Sequence, residues 1–185
     1  AAVDIDGNGM PDDIRLTDRD VILARTDVPV SNATAATYNA LRVFDLDAGG
    51  TSVTIPVKRG FATVDATVGG ITYLFATTHL ENKSDAPEIQ AAQAADLIGE
   101  LNSRDLPIVL VGDFNSGPTD PMIPFPAPYW QLLAAGFGDA WEERANLSAT
   151  FDHLGYTCCQ DETLQNTVSE LDKRIDLILF RGNVS

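Results

Sequence analysis

Apolar positions along this chain follow strand-like patterns, switch once to helical spacing, and then return to short strands. Asp20 to Arg25 encloses Val21-Ile22-Leu23-Ala24 and predicts a short strand. Leu41 to Leu46 alternates in part, as a half-exposed strand does. Thr51 to Val57 and Phe61 to Val68 are β-rich, and Gly69-Gly70 predicts a hairpin turn into Ile71 to Thr78. From Pro87 to Asn102 the period changes: Ala91, Ala94, Leu97, Ile98 and Leu101 fall at i, i+3, i+6, i+7 and i+10, one face of an amphipathic helix. Asp85 is its expected cap, with Pro87 in the first turn. Asp105-Leu106-Pro107 closes the crossover, so Ile108 to Gly112 is expected beside Ile71 to Thr78 in one sheet. Tyr129 to Ala135 predicts a second, shorter helix ending at Gly136, and Ile175 to Phe180 a last strand. Ser116 to Pro128, punctuated by Pro118, Pro121, Pro124, Pro126 and Pro128, is expected to be irregular, as is Trp141 to Asn166.

Composition changes this picture only at its edges. At 185 residues, 44% hydrophobic and a mean hydropathy of −0.03, the chain can bury one substantial core. No run of eighteen or more apolar residues occurs, so no transmembrane helix is predicted. The net charge of −15, from 12 Lys plus Arg against 27 Asp plus Glu, disfavours a broad electrostatic grip on a polyanion. Its longest basic runs are pairs, Lys58-Arg59 among them. The acidity reads as a solvated surface, or as one that serves divalent cations with substrate held locally. Cys158 and Cys159 are adjacent, which leaves a strained vicinal disulfide, a bridge to a cysteine elsewhere, or two idle thiols. Zinc would need more His or Cys than His153 adds.

Candidate chemistry lies at the tips of the apolar strands. The segments are Thr77-Thr78-His79-Leu80-Glu81, Gly112-Asp113-Phe114-Asn115 and Arg174-Ile175-Asp176-Leu177-Ile178. A strand that stays apolar along its length and then presents His, Asp or Asn builds a site at the edge of a sheet. Asp113 and Asn115 are two apart, so on a strand they project to one face. A carboxylate beside an amide suits a hydrated divalent cation and a phosphate oxygen. For Asp176 an ion pair with Arg174 or Lys173 is the competing reading.

Taken in order, these motifs resemble the endonuclease/exonuclease/phosphatase superfamily of metal-dependent phosphoesterases. Asp20 to Arg25, Lys58-Arg59-Gly60-Phe61 and Thr157-Cys158-Cys159-Gln160 are similar to members secreted by bacteria. The resemblance runs from about Asp20 to Phe180. It implies an α/β fold, a two-sheet sandwich flanked by helices in the deoxyribonuclease-like four-layer arrangement. Members carry an Asn-containing strand and a metal-binding Glu upstream, and a Ser-Asp-His segment downstream; neither is present, so a domain incomplete at both ends is expected. By resemblance, Asp113 orients or deprotonates the attacking water and touches the metal, Mg²⁺ or Mn²⁺. Asn115 fixes that water or a phosphate oxygen, and His79 contacts the scissile phosphate or helps the leaving group. Asp176 matches the carboxylate that orients the terminal histidine, as a triad aspartate orients its imidazole.

The stretch before residue 20 is a separate unit in this reading, with the partial catalytic domain spanning 20–185. Asp4, Asp6, Asn8 and Asp12 fall at the first, third, fifth and ninth positions of a calcium loop, with Gly9 at the sixth. Arg15 replaces the closing Glu, so the segment is either a Ca²⁺-bound insertion or a Gly/Asp-rich turn. The expected activity is divalent-metal-dependent hydrolysis of phosphate esters, by a monomer that is secreted or periplasmic. A secreted endonuclease acting on DNA or RNA, and a non-catalytic binding module or inactive truncated copy on the same scaffold, are the alternatives. Nucleic acid, a phospholipid headgroup or a small phosphoester are the substrate classes, and the motifs do not separate them.

Overall fold

The computed structural model describes residues 4, 7–10, 18–48, 51–84, 86–122, 124–147 and 155–184. Alternation and turn chemistry produce the strands where they were expected, within one or two residues. They are β2 (Arg42–Ala48), β3 (Thr51–Val57), β4 (Gly60–Val68), β5 (Ile71–His79), β6 (Ile108–Asp113) and β8 (Asp176–Arg181). The helical spacing gives α1 at Pro87–Asn102, with Pro87 in its first turn and Ala86 at the cap position. Asp85 lies outside the described residues. A second helix, α2, spans Pro128–Ala134.

Three elements were not expected. An edge strand, β1 (Val30–Thr37), pairs antiparallel with β4 although its eight side chains are all exposed. Its hydrogen bonds to β4 form it, not an apolar face. Within the stretch expected to be irregular, β7 (Gly138–Asp139) leads into α3 (Ala140–Leu147). The Asp139 carboxylate accepts from the Trp141 amide at 2.9 Å and caps that helix. Conversely, Asp20 to Arg25 is not a strand: no neighbour among the described residues pairs with it, and Leu23 is 92% exposed.

Among the described residues six strands form one sheet in the order β1-β4-β5-β6-β8-β7, and β2-β3 form a separate hairpin. The α/β class with two sheets therefore holds, the second sheet being the hairpin alone. Strands β5 and β6 are parallel, joined through α1, and every other pairing is antiparallel. Leu74, Ala76, Ile108, Leu110, Leu177 and Leu179 form the sheet side of the core, closed by Ala94, Leu97 and Leu101 of α1 and by Tyr129 and Leu132 of α2. The opposite face carries Val64, Tyr73, Phe75, Val109, Val111 and Ile178, the last 57% exposed.

Candidate active site

The strand tips meet on one rung of the sheet. His79 ends β5, Asp113 ends β6 and Asp176 begins β8, and the ladder pairs His79 with Asp113 and Asp113 with Asp176. Directly paired residues share a face. Alternation from Thr78, Gly112 and Leu177 sets all three on the face away from α1. Nε2 of His79 lies 3.5 Å from Oδ2 of Asp113. Gly112 makes the close approach possible: its φ is +151°, and a Cβ there would overlap the Thr78 carbonyl.

Asn115 reaches the same tip by a route different from the expected pleat. The strand stops at Asp113, and Asn115 stands in the left-handed region at φ +47°. Its N–H donates to Asp113 Oδ1 at 2.8 Å, and its Nδ2 donates to the Leu80 carbonyl at 2.9 Å. A turn, not strand alternation, returns the amide to the site. Two buried glutamines of α1 hold this turn from behind. Gln90 donates to the Phe114 and Asn115 carbonyls at 3.1 and 2.8 Å, and Gln93 accepts from the Glu81 amide at 2.8 Å. The apolar spacing that located the helix gave these polar supports no weight.

Asp176 makes no pair with Arg174. That guanidinium is buried and donates to Asp139 at 2.8 Å and to Glu142 at 2.7 Å, with Tyr129 also donating to Asp139 at 3.0 Å. It therefore anchors α3 and β7 to the segment entering β8. Gly117 packs so closely against the Arg174 carbonyl that a Cβ would overlap it. On the other flank, Cys158 and Cys159 form a disulfide, which removes the reading as idle thiols. Next to it, Thr157 Oγ1 accepts from the Ile175 and Asp176 amides at 3.2 and 3.1 Å. Asp176 is thus fixed by its own backbone and stays exposed at its side chain.

Beyond His79 lies a cleft of about 1010 Å³ between the β2–β3 hairpin and residues 18–21. Asp18, Asp20 and Arg59 line it beside His79. Arg59 Nη1 donates to His79 Nδ1 at 2.8 Å and also pairs with Asp18. Asp20 and Arg59 lie in segments that resemble the family, but the resemblance gives neither a role, and Asp18 belongs to no motif. Burial pushes the Asp20 carboxyl up to about 6, with Asp18 adding to the rise and His79 and Arg59 opposing it. Burial also raises Asp113; the Asn115 amide and His79 oppose the rise, and Asp176 reinforces it. A carboxyl that holds its proton longer when folded stabilises the fold below pH 3.8, and that gain is lost as pH climbs through about 6. Asp20→Asn removes this loss. Thermal melts at pH 4, 5.5 and 7 are expected to show the variant gaining on the wild type as pH rises; a constant difference would refute the assignment.

Asp113 and Asp176 offer neighbouring carboxylates with access to water, a donor set that fits a hydrated Mg²⁺ or Mn²⁺ held through one or two carboxylates. Among the described residues no group of three or more His, Cys, Asp or Glu gathers into a full ligand shell. Asp4 spends both carboxylate oxygens on amides, accepting from Gly7, Asn8 and Gly9 at 2.8, 3.1 and 2.7 Å, while Asn8 accepts from Met10 at 2.8 Å. Asp6, Asp12 and His153 lie outside the described residues. No described helix is long and apolar enough to cross a membrane.

Solved structures share the fold. A mannosyl-6-phosphatase from Bacteroides thetaiotaomicron matches with a TM-score of 0.57 and 17% identity, over 85% of this chain and 54% of that one. The catalytic domain of human Nocturnin, solved with a bound sulfate, gives 0.52 and 16%, over 83% and 48%. An endonuclease/exonuclease/phosphatase family protein from Leptotrichia buccalis gives 0.51 and 16%, over 83% and 50%. The chain spans about half the length of these structures. No curated protein sequence matches it. The model of the Endonuclease/Exonuclease/phosphatase family matches residues 11–185, and with its strand-tip motifs on one rung of the expected fold the chain belongs to that family.

Proposed function

We propose that the site hydrolyses phosphate esters with the help of a divalent cation. One observation carries this reading: His79, Asp113 and Asp176 come from three neighbouring strands and stand side by side on a single rung. An ester of phosphoric acid is anionic and repels an incoming water, so hydrolysis needs a base, donors for the phosphoryl oxygens and a counter-charge. Asp113 has a raised affinity for protons and faces the rung, which suits it to take a proton from water. His79 supplies a ring nitrogen to a phosphoryl oxygen, and the Asn115 amide fixes the other side of the same tip. A cation held by Asp113 and Asp176 would supply charge neutralisation when bound.

Small esters are the favoured substrates over nucleic acid. The net charge of −15 and the shortness of the basic runs along the sequence support this, as does the fold shared with a mannosyl-6-phosphatase. The vicinal disulfide supports a secreted or periplasmic location, because disulfides persist in oxidising compartments. The test is turnover of p-nitrophenyl phosphate, bis(p-nitrophenyl) phosphate and plasmid DNA by the full-length protein with Mg²⁺, Mn²⁺, Ca²⁺ or EDTA. Turnover of the small esters that vanishes with EDTA, with little cleavage of plasmid, is the expected result. Preferential plasmid cleavage would favour a secreted endonuclease instead, and a folded protein inert with every metal would favour a binding module.

A further inference from the structure

We propose that Arg59 is a positioning residue that fixes His79 as its Nε2–H tautomer, with Asp18 and Glu81 holding the guanidinium in place. The inference deepens the phosphoesterase reading and rests on it only for its kinetic consequence. Three observations carry it. First, Arg59 Nη1 lies 2.8 Å from His79 Nδ1. A guanidinium donates and cannot accept, so Nδ1 must present its lone pair and the ring proton must reside on Nε2. Nε2 is the nitrogen that faces Asp113 Oδ2, at 3.5 Å, across the rung.

Second, Arg59 is not a loose surface cation. Its side chain is 16% exposed, and its Nη1 is shared between His79 and the Asp18 carboxylate. Its Nε faces Oε2 of Glu81 at 3.9 Å, and Glu81 is 3% exposed. Both of those atoms are buried with no hydrogen-bond partner among the described residues. Each is thus the other's electrostatic complement, and the planar fork is clamped between two carboxylates. Third, the backbone is pinned. The Arg59 carbonyl accepts from the Tyr38 amide at 3.0 Å, and Gly60 runs so near Ala36 that a Cβ would overlap its carbonyl.

The chemical consequence is specific. A histidine with Nδ1 occupied by Arg59 offers an N–H donor to the site and has no lone pair there. It can hold a phosphoryl oxygen as negative charge builds, but it cannot accept a proton from water on that side. Proton acceptance is thereby left to Asp113, and the two neighbours divide the work instead of competing for it.

The tautomer is read directly from long-range ¹H–¹⁵N correlation spectra of the uniformly labelled chain, with His153→Gln distinguishing the two imidazoles. The wild type is expected to show His79 as a single Nε2–H tautomer. Arg59→Met, close in length but without a donor, is expected to give a mixture of tautomers. It should also lower kcat on p-nitrophenyl phosphate about 10²-fold with KM within about twofold, the scale of a misplaced catalytic group. Arg59→Lys should restore part of both signals, because its ammonium can still donate to Nδ1. An unchanged single tautomer in Arg59→Met, or a mixed one in the wild type, overturns the proposal. So does a tautomer change with no change in kcat. Should Arg59→Met fail to fold, Asp18→Asn loosens the same guanidinium from its exposed side, and an unchanged tautomer and kcat there overturn it equally. A wild type without turnover refutes the phosphoesterase reading, while the spectra still decide whether Arg59 sets the tautomer.

Discussion

Asp113→Ala and Asp113→Asn are both expected to lower metal-dependent ester turnover by about 10³-fold, the range spanned by removing a general base. The two variants separate catalysis from structure. Oδ1 of Asp113 accepts the Asn115 amide at 2.8 Å and so holds a non-glycine residue at φ +47°. Alanine removes that acceptor and costs about 1 kcal/mol of stability as well as the activity. Asparagine keeps an oxygen for the Asn115 amide and sheds a charge whose burial the folded state disfavours. It should therefore melt at or above the wild-type temperature at pH 7 while remaining inactive. Activity retained in Asp113→Asn would show that this carboxylate does not do the proton chemistry. Activity lost only in parallel with stability across the pair would reduce Asp113 to a turn cap.

Gly112→Ala is expected to be the most damaging of the alanine substitutions at the described glycines. The added Cβ would overlap the Thr78 carbonyl at the rung next to the site, and φ +151° is a conformation that side chains rarely adopt. Strain of this kind combined with overpacking amounts to about 2–5 kcal/mol. A folded variant would have to push β5 and β6 apart at His79 and Asp113, so its residual activity should fall further than its melting temperature implies. Chemical denaturation and turnover measured on the same preparation check this. Wild-type values for both would mean that the two strands are not as close as described.

How much of this was legible beforehand depends on what each element is made of. The spacing of Ala91, Ala94, Leu97, Ile98 and Leu101 predicted α1 at its observed bounds, because one face of that helix meets the sheet. Strand β1 escaped notice because Val30-Ser31-Asn32-Ala33-Thr34 has neither alternation nor an apolar face. Helix α3 did carry a readable signal: Asp139 followed three residues later by Glu142 has the spacing of a capping box, here with aspartate as the cap. The apolar run at Val21 to Ala24 misled in the opposite direction, since a strand needs a partner and none of the described residues supplies one. At the site, His79, Asp113 and Asp176 were visible as polar tips on apolar strands. Arg59 and Glu81 stood in motif segments and Asp18 in none, but their mutual pairing could not be read, because the fold brings Arg59 to Asp18 and Glu81 from other parts of the chain. No local pattern records a neighbour across a sheet.

The rung has a further consequence for when the site comes into being. Its three residues belong to β5, β6 and β8, and β8 joins between β6 and β7 only after a long excursion through α2 and α3. Ordering so distant a segment forfeits chain entropy well before its contacts repay it, which makes the addition of β8 a non-local and slow event. A nascent chain that has emerged only through β6 holds His79 and Asp113 but not yet Asp176. Asp176 therefore joins the other two only when β8 docks, and the first appearance of the complete rung would serve as a clock for that docking.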